Sequence, residues 1–444
     1  MFPSADSPPV KRTLSSSLLS PFSVLMVIYF AYFALVFSEV YRYAYWDLMN
    51  LGTRVLGFHP LPVTIVLYVY GAVVIACGFL GGLIVARRVF AVPAGNVSRA
   101  VLERLARLWR GLATLPGLRA FGTAYALSVA GWLASFGANV LQDVVGGVGL
   151  TDIATRWSQS PILVFVALGQ IFFVPATMVA ARSRRQLALS AALFFVSVAA
   201  LATLGARHLP AKLIVAAFLA AVYVLDPKHL WRLAAGFLLL LLIALGVVGA
   251  MSKQGIYGAQ SSARLALGLT YSDSASTISN LDRIVQMTPS TGAFHGTLLR
   301  DSILAGVPRT LFKGPKPDYA NYQIGRYLGG RKFFVIGDTV INRSVSLAPT
   351  LLGAAYADLG VPGVVAQMLL LGLLFGYLQA RAPAARWLIP FLVTYASYVV
   401  HAVNVGVHSP QTLAAIASAI AVVALDATLG RAAAGSRPVP KEQP

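Results

Sequence analysis

The chain has 444 residues, of which 57% are hydrophobic and 11% are charged, and its mean hydropathy is +0.74. These values exclude an ordinary soluble protein, because the apolar runs reach the roughly 20 residues that cross a bilayer. The formal net charge of +20 does not indicate nucleic-acid binding, since the basic residues are dispersed over loops on both sides of the predicted membrane. The single cysteine, Cys77, excludes an internal disulfide and a cysteine-based metal site.

The apolar runs predict an all-α polytopic membrane protein with about ten transmembrane helices. The first run is expected to be an uncleaved anchor, because no small-residue cleavage site clearly follows it. In chain order, the predicted spans are Leu18–Phe37, Leu61–Ala86, Phe121–Leu141, Pro161–Ala181, Leu187–Leu204, Ala211–Leu225, Leu233–Ala250, Val361–Gln379, Trp387–Val403 and Gln411–Leu429.

Lys and Arg concentrate in every second connection between these spans, beginning with Lys11 and Arg12 before the first span. Because cytoplasmic loops are enriched in Lys and Arg, both termini are predicted to be cytoplasmic. The second connection contains a basic segment near 97–112 whose period predicts an amphipathic helix on the inner leaflet. The polar residues 431–444 are expected to form a disordered cytoplasmic tail.

The long polar segment 251–360 lies outside in this topology and separates the predicted helices of residues 1–250 from those of residues 361–430. It carries eleven Lys and Arg against six Asp. Contact with anionic lipid headgroups would explain this surplus. The clustering of basic residues beside Pro and Gly instead favours a site for an anionic substrate.

Three pieces of this outer segment have helical patterns. Ser276–Met287 and Leu298–Leu304 are predicted to be short helices, the second ended by Gly306 and Pro308. The apolar piece Ser346–Ala357 is too short to cross comfortably, so we expect a re-entrant or interfacial helix that leads into the next span. Counting it would bring the helices at membrane depth to about eleven.

The usual catalytic signatures are missing: the sequence contains no HExxH, Walker loop, nucleophile elbow or Cys-His pairing. The histidines form no ligand cluster in the sequence, and neither a metal nor another cofactor is predicted. The outer segment offers guanidinium and ammonium groups, which suit a diphosphate, together with scattered carboxylates that could accept a proton. These groups fit transfer of a glycan from a lipid diphosphate, and they also fit a lipid or anion transporter.

A series of short motifs in the outer segment resembles the O-antigen polymerase family, the Wzy-type polymerases of oligosaccharide repeat units. The motifs are Asn280-Leu281-Asp282-Arg283, Phe294-His295-Gly296, Val307-Pro308-Arg309-Thr310-Leu311-Phe312, Lys316-Pro317 and Ser346-Leu347-Ala348-Pro349-Thr350, followed by Gly353, Tyr356, Gly360 and Gly363. The resemblance covers roughly residues 276–365 and the general plan of many spans around one large, late periplasmic loop.

The resemblance implies a GT-C-type glycosyltransferase of the bacterial inner membrane that works without a metal. Such an enzyme joins a growing glycan, carried on undecaprenyl diphosphate, to a new lipid-linked repeat at the periplasmic face, so residues 251–360 would be the catalytic loop. The polymer would be O-antigen, capsule or exopolysaccharide. The partners implied are the lipid-linked oligosaccharides, membrane lipids, a chain-length regulator and a flippase.

The resemblance also implies roles for individual residues. Arg283 and Arg309 are carried over as catalytic contacts to the diphosphate, with Lys316 and Arg343 next, whereas Arg300 and Lys313 are added from charge alone. Related polymerases often have an acidic residue where this chain has Ala354, so Asp338 or Asp358 would serve as the base, unless the acceptor loses its proton without a dedicated carboxylate.

Structural roles are the alternative for these residues. Arg283 would then pair with Asp282, and Asp358 with an arginine of the outer loop. Two other activities also remain open. Glycan ligases share this plan but usually carry His-Asn where this chain has Pro349-Thr350, which favours a polymerase. A transporter would need charged or broken helices along a path, and the predicted spans carry almost no charge.

Overall fold

A computed structural model describes residues 19–37, 62–88, 125, 161–181, 183–203, 208–225, 232–241, 280–306, 317, 320–327, 331–336, 339–344 and 349–434. The helices in these ranges are α1 (Pro21–Phe37), α2 (Pro62–Arg88), α3 (Pro161–Ala180), α4 (Arg184–Thr203), α5 (His208–Val224), α6 (Arg232–Leu241), α7 (280–287), α8 (Thr297–Gly306), α9 (Ala320–Tyr327), α10 (Thr350–Arg381), α11 (Ile389–Val405) and α12 (Pro410–Ala434). Two strands, β1 (Arg331–Ile336) and β2 (Thr339–Ser344), lie between α9 and α10.

The described parts of the predicted spans lie on helices. Of the span predicted at 121–141 only Tyr125 is described, and the amphipathic segment near 97–112 and the tail 435–444 lie outside the described residues. Within the described ranges, three helices are long and apolar enough to cross a membrane, namely Pro62–Arg88, Thr350–Arg381 and Gln411–Thr428. Four shorter apolar helices accompany them in the described ranges: Pro21–Ala31, Gly169–Ala180, His208–Val224 and Arg232–Leu241.

The outer segment contains two β-strands that the all-α prediction did not include. β1 and β2 pair in antiparallel register, from Arg331 opposite Ser344 to Ile336 opposite Thr339. A Gly-Asp pair connects them in the sequence, a connection typical of tight hairpins between β-branched and aromatic runs.

The packing of α2 against α10 is the most extensive contact in the described bundle. Gly78 lies against the backbone of Leu369, and Gly82 against that of Leu373, so the two helices run in the same direction. Small residues allow helix backbones in a membrane to approach closely, which replaces the hydrophobic driving force that lipid cannot provide. Tyr29 of α1 and Tyr68 of α2 add a stacked pair in which each hydroxyl donates to the other's carbonyl oxygen.

The directions of the helices define two ends of the bundle. At the basic end, α2 and α10 finish at Arg88 and Arg381, and α4 starts at Arg184. The opposite end, here called the loop end, is where α7, α8 and α9 lie and where α2, α10 and α12 begin. This arrangement agrees with the alternation of basic and non-basic connections seen in the sequence.

The close approach of α2 and α10 predicts a specific cost for a larger side chain. A Cβ added at Gly78 would lie 2.5 Å from the carbonyl oxygen of Leu369, whereas one added at Gly81 would meet nothing within 4 Å. We expect Gly78→Leu to lower the free energy of unfolding by about 1–3 kcal/mol or more, because overpacking forces the backbones apart. Gly81→Leu is the matched control on the same helix. Unfolding temperatures of the two purified variants in detergent check this, and equal values would contradict the packing.

Candidate functional site at the loop end of the bundle

The helix α10 is broken at Gly360, where the backbone adopts φ 66° and ψ −149°. The break separates a short buried helix, 350–359, from the long helix that follows, as expected for a short helix feeding a span. A Cβ at Gly360 would clash with the carbonyl of Ser290, so this position requires glycine for space as well as for its positive φ.

A neighbouring loop satisfies the backbone groups that the break leaves open. The N–H groups of Ala293 and Phe294 donate to the carbonyl oxygen of Ala357, at 2.8 and 3.3 Å, and Val361 donates to Ser290 at 3.0 Å. Because unpaired backbone groups are costly at membrane depth, a broken helix is stable only where another segment pairs with it. The residues between α7 and α8 are therefore an integral part of the break.

The Asp358 side chain anchors the next helix to the same point. Its carboxylate accepts hydrogen bonds from the backbone N–H groups of Gly296 (2.9 Å), Leu298 (3.1 Å) and Leu299 (3.1 Å), and the residue is only 1% exposed. These donors are the open N–H groups at the start of α8, where the helix dipole also favours a negative charge. Among the described residues, Asp358 thus pairs with a helix N-terminus.

His408 contacts the same carboxylate from the connection between α11 and α12. Its Nε2 lies 3.9 Å from Oδ2 of Asp358, and the imidazole is buried. Burial lowers the pKa of His408 to about 4, although the Asp358 carboxylate opposes that shift. The imidazole is therefore neutral near pH 7, and it places the start of α12 beside α8 and α10.

Asp282 and Arg283 are consecutive residues of α7 that differ in burial. Asp282 is buried and accepts a hydrogen bond from Thr64 Oγ1 at the start of α2 (2.6 Å) and another from Gln286 (2.8 Å). Arg283 is exposed. Leu281 and Ile284 pack against Gly353 of the short helix, so the arginine projects from a helix that is fixed to both α2 and α10.

Arg300 of α8 is the second exposed arginine in this region. Its guanidinium is 65% exposed and bonds Oδ1 of Asp301, with Nη2 at 2.8 Å and Nε at 2.9 Å. Asp301 also accepts a hydrogen bond from Gln323 of α9, which links the two short helices. Because a surface ion pair contributes little free energy, this contact leaves the guanidinium able to engage an anion.

Comparison with known protein families gives a match over residues 20–409, which include both the helices and the outer segment. The family is described as "Putative O-antigen polymerase". The chain belongs to this family. Comparison with curated proteins and with solved structures found no match. The resemblance stated from the short motifs is thus confirmed at the level of the polymerase family, and so is a membrane-embedded protein.

The structure brings together three of the site residues predicted for this polymerase family member. Arg283, Arg300 and Asp358 are carried by α7, α8 and α10, which meet at the broken helix. Arg343 lies in β2 opposite Lys332, and only its backbone position is described. Arg309, Lys313, Lys316 and Asp338 lie outside the described residues.

Lys212 is the residue that the sequence reading of the polymerase missed. It lies near the start of α5, is 2% exposed, and donates a hydrogen bond to Oε1 of Gln411 at 3.2 Å. The ammonium group also lies 4.4 Å from the centre of the Tyr398 ring. The sequence could have identified Lys212, because it is the second residue of a predicted apolar span, and a charged residue inside a span is by default a functional candidate.

The anchoring role of Asp358 predicts a stability loss that distinguishes it from Asp301. Asp358→Ala would leave three backbone N–H groups at the start of α8 without an acceptor, so we expect the free energy of unfolding to fall by at least about 2 kcal/mol. Asp301→Ala removes the pair with Arg300 and one hydrogen bond from Gln323 but leaves no backbone N–H without an acceptor, so it should cost less, about 1 kcal/mol. Abundance in the membrane and the unfolding temperature in detergent measure the difference. An Asp358→Ala variant as stable as Asp301→Ala would show that the carboxylate is no anchor.

The buried imidazole of His408 predicts a pH dependence of stability. Its pKa is about 4 in the folded protein against a usual value of 6.5, so the unfolded chain binds more protons between these values. Stability should therefore fall as the pH decreases through that window. His408→Asn removes the titrating group and should flatten this part of the curve. Unfolding temperatures of both proteins from pH 4 to 8 provide the check, and identical slopes would rule out the His408 contribution.

Proposed function

We propose that this protein polymerises lipid-linked oligosaccharide repeat units, of O-antigen, capsule or exopolysaccharide type, at the periplasmic face of the bacterial inner membrane. The growing glycan would be transferred from undecaprenyl diphosphate to a new lipid-linked repeat. The observation that carries this proposal is the family match over residues 20–409, which spans the helices and the basic segment together. The exposed arginines held at the broken helix α10 give that family assignment a chemical basis.

The proposed transfer breaks the bond between the sugar C1 and the diphosphate oxygen, and the diphosphate leaves with the electron pair. The acceptor hydroxyl forms the new glycosidic bond and loses its proton. Guanidinium groups stabilise the departing diphosphate through paired N–H donors, so the scheme needs no metal. We assign this role to Arg283 and Arg309, with Lys316 and Arg343 next and Arg300 and Lys313 as additional contacts.

Asp358 fits a positioning role better than that of the base. Its carboxylate is buried and already accepts hydrogen bonds from three backbone N–H groups, so it is not placed to contact a sugar hydroxyl. Of the two carboxylates considered for proton transfer, Asp338 is then the candidate base. It lies between β1 and β2 in the chain, close in sequence to Arg343.

The wider assignment follows from the same proposal. We infer a GT-C-like bundle of about ten spans with both termini in the cytoplasm and residues 251–360 in the periplasm. The loop end of the bundle would then face the periplasm and the basic end the cytoplasm. A flippase that delivers the repeats and a chain-length regulator are the expected protein partners.

The arginines of the outer segment supply the direct test. We expect Arg283→Ala and Arg309→Ala each to reduce polymer formation by about a hundredfold or more, because each removes a preorganised donor to the leaving group. Single-repeat material and protein abundance should stay unchanged. Gel analysis of polysaccharide from a strain that depends on the chain for polymer measures the ladder.

Arg326→Ala is the matched control, since Arg326 is an exposed arginine of α9 to which no role is assigned. If both variants still make full-length polymer, the diphosphate assignment is wrong. Purified protein supplied only with lipid-linked repeats separates the related activities. A polymerase makes a ladder from these repeats alone, whereas a ligase or a transporter makes none.

A further inference from the structure

The environment of Lys212 is unusual for a buried cation. Its side chain makes one hydrogen bond, to Gln411, and one contact with an aromatic face, that of Tyr398. Among the residues that the structure describes, no carboxylate lies within salt-bridge distance of the ammonium group. A buried charge without a counter-charge is unfavourable, and removing such a group for an apolar one of similar shape is often stabilising. The position therefore needs an explanation other than stability.

Polar groups from three helices surround this position, and we call them the Lys212 cluster: His208 and Lys212 of α5, Tyr398 and His401 of α11, and Gln411 of α12. The rings of His208 and His401 lie 4.9 Å apart and are half-buried, one helical turn closer to the loop end than Lys212 and Tyr398. The Tyr398 hydroxyl is fully buried and has no hydrogen-bond partner among the described residues. Within the described part of the chain, a buried cation without a counter-charge and a buried hydroxyl without an acceptor are both groups that an anion would satisfy.

The geometry points to the Lys212 cluster as a binding site for a phosphate group, and we propose that it holds the diphosphate of the second carrier lipid. This inference rests on the proposed function, in which two lipid diphosphates must be bound at once, one on the donor and one on the acceptor. Arg283 of α7 and Arg309, which follows α8 in the chain, would serve one of them. An ammonium group, a tyrosine hydroxyl and the N–H groups of a glutamine amide suit the other.

The position of the cluster fits this division. Gln411 lies in the first turn of α12, three residues after His408, which contacts the Asp358 carboxylate. The cluster and the exposed arginines of α7 and α8 therefore lie at the same end of the bundle. A diphosphate at each position would hold two glycans near the same elements.

Thermal unfolding of the full-length protein in detergent tests the site with defined probes. These are inorganic pyrophosphate, a short-chain polyprenyl diphosphate and phosphatidylglycerol, added to the wild type, Lys212→Met and Tyr398→Phe. Measurements are repeated in the Arg283→Ala Arg309→Ala background, so that binding to those two arginines does not contribute. We expect both diphosphates to raise the unfolding temperature in that background, with a shift that grows with probe concentration. The shift should be lost in Lys212→Met and reduced in Tyr398→Phe, which keeps the ring.

Without any probe, Lys212→Met should unfold at the same temperature as its parent or at a higher one. A lower temperature, or failure of this variant to fold, would mean that Lys212 is a structural group and would overturn the proposal. So would a diphosphate shift that persists without Lys212. An equal shift with phosphatidylglycerol would identify a phospholipid site and reject the carrier. If the arginine variants lose polymer but no probe gives a Lys212-dependent shift, only this inference is wrong. If the Lys212-dependent shift is observed but the wild type makes no polymer, only the proposed function is wrong.

Discussion

The break in α10 is the constraint on which the loop end depends. A helix interrupted at Gly360 exposes the carbonyl of Ala357 and the N–H of Val361, and the loop between α7 and α8 pairs with both. Asp358 then adds its carboxylate to the start of α8. Because these bonds all lie within a few residues of Gly360, the short helices of the outer segment cannot move independently of the bundle. The exposed Arg283 and Arg300 are therefore presented from a rigid support, as a preorganised anion site requires.

Much of the architecture was predictable because hydrophobic length and charge bias act locally. The predicted spans fall on helices wherever the chain is described, and Leu298–Leu304 lies within the observed α8 because Gly306 ends it. The break after the short apolar piece was also foreseeable, since Gly360 and Pro362 follow it closely. The hairpin of β1 and β2 could also have been predicted, from the aromatic and β-branched residues on both sides of Gly337.

The contacts that define the site were less predictable, because they join residues far apart in the chain. Nothing near Asp358 in the sequence indicates that its carboxylate caps a helix about sixty residues earlier. The hydrogen bond from Thr64 to Asp282 likewise joins residues more than two hundred positions apart. Charge composition identified the arginines as candidates, but only the packing of α7 on Gly353 shows how Arg283 is held.

Two charged positions inside the helices illustrate how packing separates a structural role from a functional one. Asp426 of α12 receives Nε and Nη2 of Arg381 at 2.8 and 3.2 Å, and the Tyr377 hydroxyl at 3.0 Å, so its charge is fully matched at the basic end. Lys212 at the loop end has a glutamine oxygen and an aromatic face instead. Both residues would be counted alike as charges in apolar spans. The matched pair fastens α10 to α12, whereas the unmatched cation faces the end at which the anionic substrates of a polymerase would bind.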